Sequence, residues 1–273
     1  TKDAGRIAGL TVKRIINEIN PDIISVHYAS SYGAVAAFSG IKNYFLSVWG
    51  ADVYEFPEKS FLHKKLIQIS LKRASKLLST SKAMAIHASR YTRKSFEITP
   101  FGVKTEVFNP SRRSRIDNSF VIGTVKGIDP KYGIDYLIKA VAMFKKMNPN
   151  IDFQLRIAGK GEYREEYEKL AYSLDIGEET RWLGFISQDE AAKEWANMDV
   201  AVVPSTVESE SFGVSAIEAQ ACGTAVIISD IPGLMEATNP NETCLVVKRK
   251  NDEELAKAID KLYHDEDLRK RLG

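Results

Sequence analysis

The chain has 273 residues, of which 44% are hydrophobic and 27% are charged. These values are close to globular averages and exclude a disordered, collagenous or low-complexity protein. No apolar run approaches the ~18–20 residues of a membrane-spanning helix. With two cysteines, Cys222 and Cys244, no disulfide framework is expected, which favours a reducing cytoplasm.

Charge is distributed unevenly along the chain. Residues 1–110 carry 16 Lys and Arg against 8 Asp and Glu, whereas residues 111–273 carry 22 against 28. A basic first part suggests an anionic partner, for which the candidates are a membrane surface, a phosphorylated acceptor or nucleic acid. The alternative is a solvated surface with uneven charge.

Apolar runs alternate with amphipathic stretches throughout the chain. In the first part, strands are predicted at residues 23–26, 45–48 and 76–79, and helices at 7–19, 31–39, 60–75 and 81–95. In the second part, strands are predicted at 120–125, 153–158, 200–204 and 225–229, and helices at 133–147, 163–174, 189–197, 213–222 and 252–263. Such alternation with short loops predicts parallel sheets covered by helices on both faces.

A polar stretch at residues 109–115 interrupts this alternation and indicates a linker. We therefore predict a first domain over residues 1–108, a linker over 109–118 and a second domain over 119–273. Both are doubly wound α/β domains that face a cleft, with the functional site at the carboxyl ends of the strands. Because the chain opens on a helix rather than a strand, a fragment of a longer protein is expected.

The densest polar signal lies at residues 203–219. A strand ends at Pro204, a polar loop follows, and a helix begins near Gly213, whose first N–H groups form a phosphate site. Gly213 has no Cβ, so a ligand can approach the backbone. Glu210 and Glu218 flank this site, and carboxylates accept hydrogen bonds from hydroxyls but repel phosphate. A phosphate with hydroxyls on both sides is the chemistry of a sugar nucleotide. The alternative is that Glu210 is simply an acidic residue near a helix start, where the helix dipole favours negative charge.

The pattern Glu210-x7-Glu218, with Phe212-Gly213 inside it and residues 222–226 after it, resembles the retaining GT-B glycosyltransferases of family 4. Further landmarks of that family follow in order at residues 21–27, 49–52, 80–82, 100–103, 123–133, 158–161 and 183–185. The resemblance implies the GT-B fold, two Rossmann-like domains facing a cleft. Against the family pattern, the first strands of the amino-terminal domain and the last carboxyl-terminal helix are lacking.

The resemblance also assigns roles to the residues around the helix start. Glu210 matches the glutamate that contacts hydroxyls of the transferred sugar, and it positions the sugar rather than attacking it. Glu218 matches the glutamate that binds the ribose. The backbone of Phe212, Gly213 and Val214 holds sugar hydroxyls and the distal phosphate.

Two lysines are the predicted cations of the pyrophosphate site. The family usually has Arg where Thr124 stands and Lys where Lys131 stands. Lys126 is close enough to substitute for the missing Arg, as a point charge rather than a bidentate fork; the alternative is a surface lysine.

Three more residues are expected near the nucleotide. Gly159 and Gly161 form a tight turn after a strand, for which the alternative is a plain loop. Backbone groups around Ile186 would contact the base, for which the alternative is an ordinary strand-to-helix turn.

On the acceptor side, the resemblance indicates Trp49, Asp52 and His27. Many relatives have His where Trp49 stands. Asp52 faces the acceptor or caps a turn, and His27 contacts the acceptor or is a packed histidine. The basic amphipathic helix at residues 61–73 lies on an anionic membrane or faces the core with solvated lysines.

The reaction implied by the resemblance moves a sugar, with its anomeric configuration retained, from a nucleoside diphosphate sugar to a polysaccharide, lipid-linked or other acceptor. A UDP-sugar is favoured over a GDP-sugar. No metal or other cofactor is implied, because lysines and helix N–H groups stabilise the leaving diphosphate. The four histidines show no metal-ligand spacing, and no Walker loop or Ser-His-Asp signature is present.

The implied partners are the sugar-nucleotide donor, a sugar or lipid-linked acceptor and the inner face of a membrane, but no nucleic acid. Two alternatives remain open. One is a sugar-nucleotide epimerase of the same fold, and the other is a non-catalytic nucleotide-binding scaffold.

Overall fold

A computed structural model describes residues 2–273, with side chains from residue 8 onward. The chain divides into two compact units. The first comprises the residues through Phe101 together with Glu208–Phe212, and the second comprises Gly102–Val207 and Gly213–Gly273.

The first unit is a four-stranded parallel sheet in the order β1-β2-β3-β4. Its elements are α1 (Lys2–Ile19), β1 (Ile24–His27), α2 (Tyr32–Ser39), β2 (Tyr44–Val48), α3 (Ala51–Tyr54), α4 (Phe61–Arg73), β3 (Lys76–Ser79), α5 (Lys82–Ala88) and β4 (Phe96–Ile98). Serine side chains begin two of the helices, because Ser60 accepts from the N–H of His63 and Ser81 from that of Met84.

The second unit is a six-stranded parallel sheet in the order β10-β9-β8-β5-β6-β7. Its strands are β5 (Phe120–Val125), β6 (Phe153–Ala158), β7 (Thr180–Gly184), β8 (Val200–Val203), β9 (Ala225–Ser229) and β10 (Cys244–Val247). Its helices are α6 (Ile134–Met147), α7 (Arg164–Ser173), α8 (Gln188–Asn197), α9 (Val214–Ala221), α10 (Pro232–Ala237), α11 (Asp252–His264) and α12 (Glu266–Leu272).

Side chains of the second sheet alternate between two hydrophobic clusters. Val200 and Val202 pack into the cluster that contains α6 and α11, whereas Ala201 and Val203 pack into the cluster that contains α8 and α9. All four residues of β8 are therefore buried, which explains the continuous apolar run of a parallel strand covered on both faces. The predicted fold class of parallel α/β sheets is confirmed.

The sequence pattern does not predict β4, β7 or β10. All three are outer strands of their sheets, and outer strands need fewer apolar residues than central ones. In β7, Arg181 and Leu183 are exposed, so no continuous apolar run marks the strand.

The segment predicted as a linker, residues 109–118, lies within the second unit, and the division between the units falls after Phe101. Two arginines hold this segment in place. Arg115 donates to Asp199 at 2.6 Å and Arg113 donates to the same carboxylate at 3.2 Å. The polar residues that suggest a linker thus form ion pairs with Asp199 of the second unit, and the Arg115 pair is largely buried.

In the part of the chain that the structure describes, no helix has the length and apolar character needed to cross a membrane.

Candidate functional site

The strand order of the second sheet changes direction at β5. The chain runs from β5 to β6 on one side, and β8 then pairs with β5 on the other side. In open parallel sheets, ligands bind at such a switch point, beyond the carboxyl ends of the strands. The loops that follow β5 and β8 therefore form the candidate site of the second unit.

These two loops are joined by direct backbone contacts. The N–H of Thr206 donates to the carbonyl of Lys131 at 2.8 Å, and the Thr206 hydroxyl contacts the carbonyls of Pro130 and Lys131 at 3.2 Å. Gly133 packs so closely on Pro204 that a Cβ would collide with the Pro204 carbonyl. The segment that carries Lys131 is thus fixed by the loop after β8.

The structure brings Lys126 and Lys131 to one aromatic ring. Their ammonium groups lie 4.9 and 5.0 Å from the centre of the Tyr132 ring. Thr124, by contrast, is fully buried within β5, whereas Lys126 is the first residue after the strand. Thr124, at the family's arginine position, is uncharged, so Lys126 is the residue that supplies positive charge at the end of β5.

Glu218 lies half-buried in α9. Burial raises the pKa of this carboxyl group, while the positive charge of Lys126 acts in the opposite direction. A partly desolvated carboxylate that interacts with a cation is suited to accept hydrogen bonds from ligand hydroxyls.

Helix α9 begins beside the end of β5. Ser215 donates its hydroxyl to the carbonyl of Val125 at 3.2 Å. Gly213 has a φ of +79°, and a Cβ there would collide with Leu234. The positive φ and the contact with Leu234 together favour glycine at position 213 without a ligand, while the N–H groups of the first turn, from Val214 onward, remain the predicted phosphate ligands.

Gly159 and Gly161 lie against the backbone of the loop after β5. A Cβ at Gly159 would collide with the carbonyl of Lys126, and one at Gly161 with that of Ile128. The two loops are also hydrogen bonded, with Ile128 N–H donating to the Lys160 carbonyl at 2.9 Å. Close backbone packing accounts for both glycines, and their contact with nucleotide stays a prediction.

Ile186 packs its side chain against the cluster that contains α8 and α9, which leaves its backbone as the predicted contact to the base. The neighbouring Phe185 is 72% exposed, with the Lys160 ammonium 5.2 Å from its ring centre. Phe185 lies in the family landmark at residues 183–185, for which the sequence predicts only backbone contacts around Ile186, so the exposed ring is a feature that the structure adds.

In the first unit, His27 and Trp49 lie together at the ends of β1 and β2. The Trp49 indole N–H donates to His27 Nδ1 at 3.2 Å, and Ser25 contacts His27 Nε2 at 3.1 Å. Both side chains are exposed, so His27 is not a packed core histidine. Their contact with an acceptor stays a prediction.

Asp52 is fully buried. Its carboxylate accepts the backbone N–H groups of Ala29 at 2.7 Å, Trp49 at 3.0 Å and Gly50 at 2.9 Å. Burial raises the pKa of this group, and the backbone hydrogen bonds oppose that rise. The structure favours the turn-holding alternative for Asp52, which positions Trp49 rather than facing an acceptor.

Glu210 belongs to a short segment, Glu208–Phe212, which is part of the first unit. Its neighbours on each side are anchored there. Ser209 donates to Glu55 at 2.5 Å, and Ser211 donates to the Trp49 carbonyl at 2.9 Å. Phe212 is buried, with its ring edge-to-face on Phe101 at 5.5 Å between centroids. The half-buried Glu210 is thereby held from both sides.

Among the residues that the structure describes, no three His, Cys, Asp or Glu side chains come together as a metal site. The expectation that the reaction needs no metal remains a prediction.

Comparison with known proteins decides the family. Residues 108–273 match the family model for glycosyl transferases group 1, and residues 3–81 match that for glycosyl transferase 4-like proteins. The chain belongs to the group 1 glycosyltransferases. The first match includes every candidate residue of the second unit, and the second includes His27, Trp49 and Asp52.

A relative from Stackebrandtia nassauensis, a D-inositol 3-phosphate glycosyltransferase, is 33% identical over 190 residues. The matched region covers 64% of this group 1 chain and 42% of the relative. The chain thus spans less than half the length of that protein.

Solved structures show the same fold. Sucrose-phosphate synthase from Thermosynechococcus elongatus is 23% identical, with a TM-score of 0.81 over 96% of this chain and 69% of that one. HepE from Anabaena, solved in complex with UDP, is 18% identical, with a TM-score of 0.83 over 97% of this chain and 74% of that one. The predicted GT-B fold of this group 1 member is confirmed.

The raised pKa of Glu218 predicts a pH-dependent gain in stability for Glu218→Gln. At pH values between the ordinary and the raised pKa, the Glu218 carboxyl group is ionised in the unfolded chain but still protonated in the folded protein. The wild-type protein therefore loses free energy of unfolding as pH rises through this range, and the loss is complete above the raised pKa. Without ligand, the variant should have a higher Tm at pH 8, by about 1–3 °C, and the gain should vanish near pH 4.

Thermal unfolding monitored by circular dichroism across this pH range measures the effect. Glu178→Gln, at an exposed loop position, is the control and should leave the pH dependence unchanged. A gain for Glu218→Gln that is equal at all pH values would contradict the burial of a charged carboxylate.

Proposed function

We propose that this group 1 protein is a glycosyltransferase that uses a nucleoside diphosphate sugar as donor. The observation that carries the proposal is the convergence of two lysines, Lys126 and Lys131, with the start of α9 at the switch point of the second sheet. Glu218 lies on α9 itself, and its carboxyl group interacts electrostatically with Lys126. Positive charge for a diphosphate and a carboxylate for ribose hydroxyls are the groups that a sugar nucleotide requires.

In this proposal, the protein stabilises charge that develops on the leaving group. As the bond between the sugar and the diphosphate breaks, negative charge grows on the phosphate oxygens. The two ammonium groups and the N–H groups of α9 stabilise that charge. The leaving phosphate takes the proton of the acceptor hydroxyl on the same face of the sugar, so the anomeric configuration is retained and neither a metal nor a protein nucleophile takes part.

Glu210 orients the transferred sugar in this scheme. The support is its fixed position, since Ser209 and Ser211 anchor the segment on both sides of it. A carboxylate carried by an anchored segment can accept hydrogen bonds from sugar hydroxyls, and orientation of the sugar contributes directly to the rate.

For the donor we propose a UDP-sugar, and for the acceptor a sugar or lipid-linked hydroxyl compound. HepE, a structural relative, has been solved with UDP-glucose and with UDP and glucose. The relative from Stackebrandtia nassauensis carries the name of an inositol phosphate glycosyltransferase. A phosphorylated acceptor would also match the excess of basic residues in residues 1–110.

A thermal-shift panel tests the donor site. UDP and UDP-glucose should raise the Tm more than GDP and GDP-glucose at equal concentration, and EDTA should not change the shift. A strict Mg²⁺ or Mn²⁺ requirement, or no shift with any nucleotide, would contradict the proposal. Donor consumption with and without a panel of hydroxyl acceptors then separates transfer from epimerisation, since an epimerase converts the donor alone and a scaffold converts nothing.

Glu210→Gln should separate orientation from covalent catalysis. The variant keeps the shape and one acceptor oxygen but loses the charge, so turnover should fall by roughly 10- to 100-fold, while affinity for UDP stays the same. The product should keep its configuration. Steady-state kinetics and NMR of the product measure both quantities.

Intact mass spectrometry with donor and no acceptor completes this test. A glycosyl adduct on Glu210 would show that it is a nucleophile and would contradict its assignment. Unchanged turnover in the Gln variant would remove Glu210 from the site altogether.

We also propose that the first unit contacts the cytoplasmic face of an anionic membrane through the beginning of α4. Ile67 and Leu71 of this helix are fully buried, whereas Phe61 and Leu62 at its start are 69% and 76% exposed. Lysines follow directly at positions 64 and 65. Exposed apolar side chains beside cations suit an anionic lipid surface.

Vesicle sedimentation tests this contact. The protein should bind phosphatidylglycerol vesicles but not phosphatidylcholine vesicles, and Phe61→Ser with Leu62→Ser should reduce binding by about 10-fold or more. Ile86→Ser removes an equally exposed apolar side chain, 75% exposed in α5, and should have little effect. Equal loss in both variants, or no binding to either lipid, would contradict the proposal.

A further inference from the structure

One aromatic ring lies next to both lysines of the candidate diphosphate site. Lys126 Nζ is 4.9 Å and Lys131 Nζ is 5.0 Å from the centre of the Tyr132 ring. An ammonium group within about 6 Å of an aromatic ring centre is attracted to the ring's negative face. Tyr132 therefore contacts each of the cations that the proposed function assigns to the leaving group.

The ring itself is fixed by its surroundings. Tyr132 ends a short 3-10 helix, Pro130–Tyr132, whose first turn is capped by the Asp129 carboxylate. The ring packs over Gly127, where a Cβ would lie 3.0 Å from a ring carbon. A larger residue at position 127 would push the ring away, so the glycine makes room for it.

A fixed ring is needed because the two lysine ammonium groups repel each other and would otherwise move apart. Like charges repel, and a lysine side chain has four flexible carbon–carbon bonds. Lys131 also borders a groove of about 810 Å³ between α6 and α7, where Asp135 and Glu166 supply carboxylates. Asp135 is paired with Lys139 at 3.1 Å, so without the ring Glu166 is the carboxylate of this groove that would compete for the Lys131 ammonium.

We propose that Tyr132 is a positioning residue that holds Lys126 and Lys131 together as a pair for the diphosphate of the donor. The proposal rests on the proposed function, because it assumes a diphosphate as ligand. It also accounts for the absence of Arg at position 124. Lys126, held by the ring beside Lys131, takes the place of the planar fork that an arginine would supply.

Calorimetric titration of the whole chain with UDP and with inorganic pyrophosphate tests the proposal. Tyr132→Leu removes the ring and should weaken both ligands by roughly 5- to 30-fold, because the two ammonium groups are then no longer held in place before the ligand binds. Tyr132→Phe keeps the ring and should stay within about twofold of the unchanged protein.

Tyr136→Leu is the matched control. Its ring lies 4.9 Å from the ammonium of Lys139 on α6, the same kind of contact outside the lysine pair. This variant should change neither affinity by more than about twofold. Circular dichroism melts of all variants show whether each one folds.

A combined variant distinguishes positioning from a general effect on the fold. In the background of Lys126→Met with Lys131→Met, Tyr132→Leu should cause no further loss of affinity. An undiminished loss there would show that the ring acts through the fold, and equal losses in Tyr132→Phe and Tyr132→Leu would assign the effect to the hydroxyl. Either result, or unchanged affinity in Tyr132→Leu, would overturn the proposal.

The two ligands separate this inference from the proposed function. If the unchanged protein binds pyrophosphate but not UDP, and the ring dependence holds, the lysine pair stands and the sugar-nucleotide assignment fails. If the unchanged protein binds neither ligand, both proposals are overturned.

Discussion

The candidate site of the second unit depends on close backbone packing among three loops at the carboxyl end of its sheet. The loop after β5 lies directly against the loop after β6 at Gly159 and Gly161, and against the loop after β8 at Gly133. At each of these places a Cβ would collide with a carbonyl oxygen. Since the loops cannot move apart without losing the hydrogen bonds between them, the backbone positions from which their side chains extend are defined.

This packing places the charged groups at the switch point of the second sheet, beyond the carboxyl ends of its strands. Lys126 follows the end of β5, Lys131 is fixed through Thr206, and α9 starts beside Val125. Preorganised positive groups stabilise developing negative charge more effectively than groups that must rearrange. The half-buried Glu218 on α9 adds a carboxylate whose raised pKa reflects the cost of its burial. A ligand that binds these charged groups would therefore stabilise the folded protein.

Much of this arrangement is predictable from the sequence, for identifiable reasons. The central strands are continuous apolar runs because both faces of the sheet are covered, and the position of Lys126 follows directly from the end of β5. The spacing of Glu210, Gly213 and Glu218 indicated a loop and a helix start, and α9 begins at Val214 as that spacing requires.

Other features depend on contacts between residues distant in sequence. The outer strand β7 lacks a continuous apolar run, and the buried hydrogen bonds of Asp52 come from residues as far away as Ala29. The role of Tyr132 is equally hidden, because a tyrosine before a helix usually indicates packing. The anchoring of Ser209 to Glu55 joins residues 154 positions apart, and no local pattern in the sequence indicates it.

If the second unit recognises a diphosphate through the lysine pair and the start of α9, its affinity must depend on the number of phosphates. Isothermal titration of the protein with uridine, UMP and UDP at two salt concentrations measures this dependence. Affinity should increase with each phosphate, with UDP at least about 100-fold tighter than uridine, and this difference should shrink as salt rises. Equal affinities for uridine and UDP, or a difference insensitive to salt, would contradict recognition of the diphosphate.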